Sequence, residues 1–293
     1  MKAPNFNYCC PDTVEEVCEI LDSMGSDARI LAGGQSLVPA MNLRMASADL
    51  LIDINRIQSL KGISLSEDSQ WVRVGALARH AEVAASPLIA QHVPLVHKAM
   101  RYVAHQAVRN RGTSCGSLAL ADPSAEMPAC AMTLNATLVM QSKKDGVRTV
   151  PAREFFFGLY DTALREDEIL IEVRWPCSGK DSFAGFDELS RRQGDFALVG
   201  VAAQCHMAGA RIDHLDVVSF GTGPVPQISE QSVQAAAGQS PTEELARELA
   251  VLVAGEIDPD TVPNIEIKRR QAEAIARRVL IQMFQECAHA SQE

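Results

Sequence analysis

The stretch Ile30-Leu31-Ala32-Gly33-Gly34-Gln35-Ser36-Leu37 opens the reading of this 293-residue chain. Arg29–Ala32 has the apolar character of a short strand, and two glycines follow it. Two glycines after a strand let the backbone turn sharply and come close to a ligand. Their N–H groups, with the Ser36 hydroxyl, form a concave nest for an anion; an ordinary tight turn is the competing reading. Leu37, Val38, Met41 and Leu43 continue the segment, and Leu50–Ile54 reads as a second strand. The result is a strand–turn–helix–strand unit of about 30 residues. It carries neither the G-x-G-x-x-G dinucleotide fingerprint nor the G-x-x-x-x-G-K-[ST] phosphate loop. Just upstream, Thr13 and Glu16 have capping-box spacing, Val14, Val17, Cys18 and Leu21 recur at helical spacing, and Gly25 is a stop signal.

Downstream, Trp71–Val74 reads as a strand, and His80–Ala85 and Leu95–Val103 as helices. A turn rich in Arg, Asn and Gly (109–112) leads into Thr113-Ser114-Cys115-Gly116-Ser117, a second small, hydroxyl-rich stretch able to offer donors to a phosphate. Asp122-Pro123 has the form of an N-cap followed by Pro at the first helical position. Ala136–Gln141 and Val147–Val150 read as a hairpin, Arg153–Phe157 as a short helix and Ile169–Trp175 as a strand. The polar segment 176–182 suggests a boundary. Beyond it come three strands, Phe183–Leu189, Phe196–His206 and Arg211–Phe220, then helices over 241–254 and 265–287. In the last helix Ala272, Ile275, Ala276, Val279, Leu280, Met283, Phe284 and Cys287 form one apolar stripe. The turn Arg191-Arg192-Gln193-Gly194-Asp195-Phe196 is either a solvated hairpin or a mobile loop beside a cofactor. The basic run Lys268, Arg269, Arg270, Arg277 and Arg278 is either a solvated helix face or a docking surface for an acidic partner.

Composition narrows the function. A net charge of −10 makes the chain a poor holder of a nucleic-acid backbone, while a single pyrophosphate needs only backbone N–H groups. No apolar run approaches the roughly 20 residues of a membrane span. The start of the chain lacks a signal-peptide core, so a cytoplasmic location is expected. Eight cysteines without a C-x-x-C pair, and scattered histidines, point to free thiols and no metal.

The strings AGGQSLVPAMNLRM (32–45), LIDINRI (51–57), RNRGTSCGSLALADPSAEMPA (109–129), EILIEVRWP (168–176) and SRRQGDFALVGVA (190–202) occur in that order. Together they resemble the FAD-binding medium subunit of the molybdenum hydroxylases, the family of xanthine dehydrogenase and carbon monoxide dehydrogenase. The resemblance implies an α+β fold: a vanillyl-alcohol-oxidase-type FAD domain of two α+β subdomains, here 1–58 and 59–177, then a C-terminal α+β domain, 178–293. It implies that Ala32, Gly33, Gly34, Gln35 and Ser36 wrap the pyrophosphate of a non-covalent FAD, with Ile30, Leu31 and Leu37 also at the cofactor site. Thr113, Ser114, Cys115, Gly116 and Ser117 form the second cradle, and Asp122 bonds a ribose hydroxyl. Val103 and Leu170 flank the adenine, Ala104 and Ile169 also belong to the cofactor site, and Asp195 and Phe196 lie at the isoalloxazine edge. Two departures stand out: the cradle usually reads Thr-Ile-Gly-Gly, and Leu120 stands where a His is common.

By the same resemblance no side chain of this chain is catalytic. Electrons would arrive from two 2Fe–2S clusters on a small subunit, after substrate oxidation at a molybdenum cofactor on a large subunit, and leave through FAD to an external acceptor. The assembly implied is a dimer of heterotrimers. The alternatives are a self-contained FAD oxidase of the same fold and a flavin-less scaffold subunit.

Overall fold

A computed structural model describes residues 2–290. The first sheet is parallel, in the order β1 (Asn7–Cys9), β3 (Leu50–Asp53), β2 (Ala28–Leu31). Strand β1 lies in a polar stretch with no alternating pattern, so it was not visible in the sequence. Helix α1 (Val14–Met24) buries Val14, Val17, Cys18 and Leu21, as their spacing requires. Thr13 Oγ1 accepts the Glu16 N–H at 3.2 Å, but the Glu16 carboxylate takes the Asp12 N–H at 2.9 Å rather than that of Thr13. Gly25, at φ +51°, ends the helix. Helix α2 (Leu37–Asn42) crosses from β2 to β3.

The second sheet is antiparallel, in the order β4 (Ile63–Leu65), β5 (Trp71–Gly75), β10 (Glu168–Pro176), β6 (Thr137–Ser142), β7 (Gly146–Pro151). Between β5 and β6 run six helices: α3 (His80–Ala85), α4 (Pro87–His92), α5 (Pro94–Ala99), α6 (Gln106–Arg109), α7 (Ser114–Leu120) and α8 (Glu126–Leu134). Three sequence expectations are corrected here. The helix expected over 95–103 stops at Ala99. Ala104 adopts φ +43°, and Arg109 Nη1 pins the turn by donating to the carbonyls of Val103 and Ala104 at 2.9 and 2.7 Å. Asp122 does not cap a helix: it closes a turn, accepting the Ser124 N–H on Oδ1 at 2.9 Å, and α8 starts at Glu126. The segment 153–157 is a 3₁₀ turn (Ala152–Glu154) running into β8 (Phe156–Gly158), which pairs with β9 (Asp161–Thr162). Phe155 and Phe156 are both buried, edge to face at 5.1 Å, an arrangement that one face of a short helix does not allow.

The third sheet, antiparallel, has the order β11 (Ser182–Leu189), β12 (Val199–Ala208), β13 (Arg211–Phe220), β14 (Gln227–Ile228). Period-two alternation splits its side chains between two cores. Ala184, Phe186, Ala202, Val218 and Phe220 join the core of the first two sheets. Val201, Ala203, Cys205, Leu215 and Val217 pack under α10 (Glu243–Gly255) and α11 (Ile265–Ala290), with the short α9 (Glu230–Ala236) beside them. Burial on both faces explains the nearly unbroken apolar run of β12. All eight residues of the α11 stripe are buried. Much of its basic run serves the chain itself: Lys268 Nζ donates to the carbonyls of Leu198 and Gly221, Arg269 to that of Ile257, and Arg278 pairs with Asp187.

Gly200 meets Phe220 across β12 and β13, and a Cβ there would lie 2.0 Å from Phe220 Cζ. Gly200→Ala should therefore cost about 1–3 kcal/mol through overpacking, read as a lower urea midpoint at unchanged slope.

Candidate functional site

Where the first and second sheets meet, a cleft of about 860 Å³ opens, within the range of small-molecule and cofactor sites. One wall is the loop after β2. Gly34 turns at φ +71°. Gly33 lies directly on the Arg111–Gly112 backbone: a Cβ built on it would fall 2.4 Å from the Arg111 carbonyl oxygen and 2.7 Å from Gly112 Cα. Only glycine permits this approach of the two loops. Among the described residues, the backbone N–H groups of Gly33, Gly34, Gln35 and Ser36 donate to nothing within the chain.

A polar strap holds the two loops at this separation. Asn55 Nδ2 donates to the Ala32 carbonyl at 2.9 Å. Arg79 donates to Asn55 Oδ1 with one nitrogen and to the Arg111 carbonyl with another. The backbone adds to the strap, His80 N–H donating to the Gly112 carbonyl at 2.9 Å. The ring of His80 is 6% exposed, with Nδ1 3.4 Å from Ser114 Oγ. Burial, and then the Arg109 charge, pull its pKa down from 6.5 to about 4, so the ring is neutral at physiological pH.

The second loop enters α7 through Thr113, whose Oγ1 accepts the Gly116 N–H at 3.0 Å. Gly116 is needed there, because a Cβ would lie 2.7 Å from Thr113 Oγ1. Cys115 resolves one of the departures. Its backbone borders the cleft, but its side chain turns into the second sheet, where the thiol sits 3.7 Å from the Val74 carbonyl and burial pushes its pKa well up. The sulfur therefore does not project where closest approach matters. Ser114 is fully buried beneath this turn and does not reach the cleft wall.

The remaining expected residues converge on the same cleft. Ile30, Leu31, Ala32 and Leu37 line it around the first loop, and Ser117 lies beyond the second. Val103 and Ala104 come in on the turn pinned by Arg109. Ile169 and Leu170 stand opposite, beside an irregularity in the β10–β6 register between Leu170 and Glu172. Asp122 offers Oδ2 to the Tyr160 hydroxyl at 3.2 Å. Asp195 and Phe196 reach the cleft from the loop joining β11 to β12; Phe196 is 60% exposed, and Gly194 at φ +84° seats that loop against His105. Sequence reading missed Asn55, Arg79, His80, Glu126 and Tyr160. Arg79 and Asn55 act through bonds to residues distant in sequence and carry no local signature. A Glu heading the mostly apolar run 127–134 was the available hint for Glu126.

The family described as the FAD binding domain in molybdopterin dehydrogenase matches residues 4–178, and the CO dehydrogenase flavoprotein C-terminal domain matches 184–283. The chain belongs to this FAD-binding flavoprotein family. It is 42% identical over 203 residues to the 6-hydroxypseudooxynicotine dehydrogenase complex subunit alpha of Paenarthrobacter nicotinovorans, covering 69% of this chain and 68% of that one. A chain of carbon monoxide dehydrogenase from Hydrogenophaga pseudoflava superposes with a TM-score of 0.93 at 33% identity, over 98% of this chain and 100% of the other. A chain of quinoline 2-oxidoreductase from Pseudomonas putida 86 does so at 0.91 and 36%, over 98% and 99%. The α+β architecture expected from the resemblance is therefore that of these flavoproteins.

The unfolded His80 ring takes its proton near 6.5, and the folded ring only near 4. Stability is thus lost as the pH falls through that window, by about 3 kcal/mol. His80→Asn should flatten this acid limb, as measured by chemical unfolding at stepped pH.

Proposed function

We propose that this chain is the FAD-bearing electron-transfer subunit of a molybdenum-containing hydroxylase, and that the cleft between its first two sheets is the FAD site. The observation that carries the reading is the loop 33–36. Among the described residues it presents four backbone amides without a partner in the chain on a cleft wall, and it lies directly against a second donor-rich loop. Such a nest suits the oxygens of a pyrophosphate without any net positive charge, which fits a chain of net charge −10. The cleft is also large enough for an extended dinucleotide.

In this reading Gly33–Ser36 hold the pyrophosphate and Thr113–Ser117 complete the cradle. Asp122 takes a ribose hydroxyl, Val103 and Leu170 flank the adenine, and Asp195 and Phe196 cover the outer edge of the isoalloxazine. Ser114 contributes from behind, by bracing His80. When bound, FAD supplies the redox chemistry; the chain supplies binding, orientation and exclusion of water. Relatives named for carbon monoxide, quinoline and a pyridine-alkaloid derivative share this chain's architecture or much of its sequence. That variety supports a substrate chosen elsewhere, on a large molybdenum-cofactor subunit. Electrons would enter from the 2Fe–2S clusters of a small subunit and leave to an external acceptor, in a dimer of heterotrimers. The eight cysteines form no disulfide among the described residues, which favours work in the reducing cytoplasm.

Gly33→Asp with Gly34→Asp puts two carboxylates and two Cβ atoms into the nest. The expected outcome is a purified chain with native far-ultraviolet circular dichroism and near-zero flavin absorbance, against about one FAD per wild-type chain. Full retention of FAD would overturn the pyrophosphate assignment.

A further inference from the structure

Two buried carboxyl groups stand apart from the ion pairs. Glu126, the first residue of α8, is 6% exposed and lies on the cleft wall. Glu188, near the end of β11, is 8% exposed and sits just before the loop that carries Asp195 and Phe196 to the cleft. Neither has a salt-bridge partner among the described residues. Glu188 Oε2 is buried with no hydrogen-bond partner. Both carboxyls act electrostatically on Cys130, one turn along α8, which puts the three groups in one neighbourhood between α8 and the third sheet.

Among the described residues no cation pairs directly with either carboxyl. Asp122, bonded to Tyr160, faces Glu126 from the turn before α8. Asp187 lies beside Glu188, its own charge engaged by Arg278 of α11 and by the Tyr102 hydroxyl after α5. Burial pushes Glu126 up to about 7, against a lowering hydrogen bond from its own backbone N–H and with Asp122 adding to the rise; burial, then the Glu126 charge, then Asp187 push Glu188 up to about 8. Two desolvated carboxylates with no cation are costly, so such a pair retains a proton near neutral pH. A buried carboxyl on the cleft wall, Glu126, beside one with an unpartnered oxygen, Glu188, calls for a functional explanation.

We propose that Glu126 and Glu188 form a proton-holding pair that takes up a further proton from water when negative charge arrives in the cleft, so that electron entry at the flavin is coupled to proton uptake by this chain. The inference rests on the FAD reading of the cleft. Reduction of an isoalloxazine by two electrons near neutral pH takes up a proton and leaves a negative charge. The electrons come from the iron–sulfur partner named above. That charge raises the proton affinity of the remaining carboxylate, and a solvent proton converts it to the acid. No covalent bond to carbon changes, and the net charge of the cleft region is conserved. Reoxidation releases the proton.

Two measurements test the pair. The first needs no flavin. A carboxyl whose folded pKa is raised binds its proton more tightly in the folded state, so stability is lost as the pH rises from about 4.5, the ordinary carboxyl value, to about 8, the raised value of Glu188. Glu188→Gln, and separately Glu126→Gln, should remove much of that loss from the unfolding midpoints of the full chain. Midpoints that fall as in wild type for both variants would overturn the pair. The second measurement counts protons taken up per flavin on photoreduction of the FAD-loaded chain, using a pH-indicator dye in weak buffer. Wild type should exceed Glu188→Gln by a sizeable fraction of a proton near neutral pH. Equal counts would overturn the coupling. A wild-type chain that binds no FAD would overturn the cleft reading, and the coupling with it, through FAD content alone, whereas the stability arm judges the pair by itself.

Discussion

The architecture of the cleft depends on one contact, the Gly33 backbone lying on the Arg111–Gly112 backbone without room for a methyl group. The contact has little attraction of its own. It persists because Asn55 and Arg79 bridge the carbonyls of Ala32 and Arg111 from behind. Hydrogen bonds from a charged donor are worth about 1.5–3 kcal/mol each, and these lie in a partly buried setting. The arrangement resolves a conflict. A loop with unpaired amides is normally mobile, yet an anion site needs those amides fixed in advance. Here the carbonyls of the two loops are engaged on the far side, and the N–H groups of the first loop are left for the cleft.

The third sheet serves this site from a distance. One face of β11–β13 continues the core that contains α5 and α8, so the lobes are packed through shared apolar residues rather than strung on a flexible linker. Lys268 of α11 donates to the Leu198 and Gly221 carbonyls, and the Gly221 N–H reaches the Pro123 carbonyl at 2.8 Å. Burial lowers the Lys268 pKa, yet no carboxylate is needed to hold the ammonium, since two carbonyl dipoles do so. Through these bonds α11 fixes the root of the loop bearing Phe196 and the turn bearing Asp122 in one frame.

What the sequence disclosed follows a physical divide. Elements buried against a large core announced themselves: α1 and the stripe of α11 by helical spacing, the β6–β7 hairpin and β11 to β13 by strand-length runs between turn signals. Elements set by tertiary bonds did not. The end of α5 depends on Arg109 reaching back to the carbonyls of Val103 and Ala104. Asp122-Pro123 has the residue types of a helix start, but the Asp side chain is used up on the Ser124 N–H in a tighter turn. Strand β1 exists because β3 offers it an edge, not because of its own composition. At the site, the small-residue loops were legible because glycine needs a reason, whereas Arg79 looks like any surface arginine until the fold brings Arg111 to it. The unusual Cys115 proved harmless for a reason no string of letters contains: its Cβ points into the sheet.

Because the cleft walls come from chain segments scattered between Leu21 and Phe196, whatever fills it acts as a cross-link rather than a passenger. A ligand bound by the native state alone adds its binding free energy to folding. The empty chain is then the form most open to cellular proteases, and cofactor loading becomes a checkpoint on the supply of subunits fit for assembly.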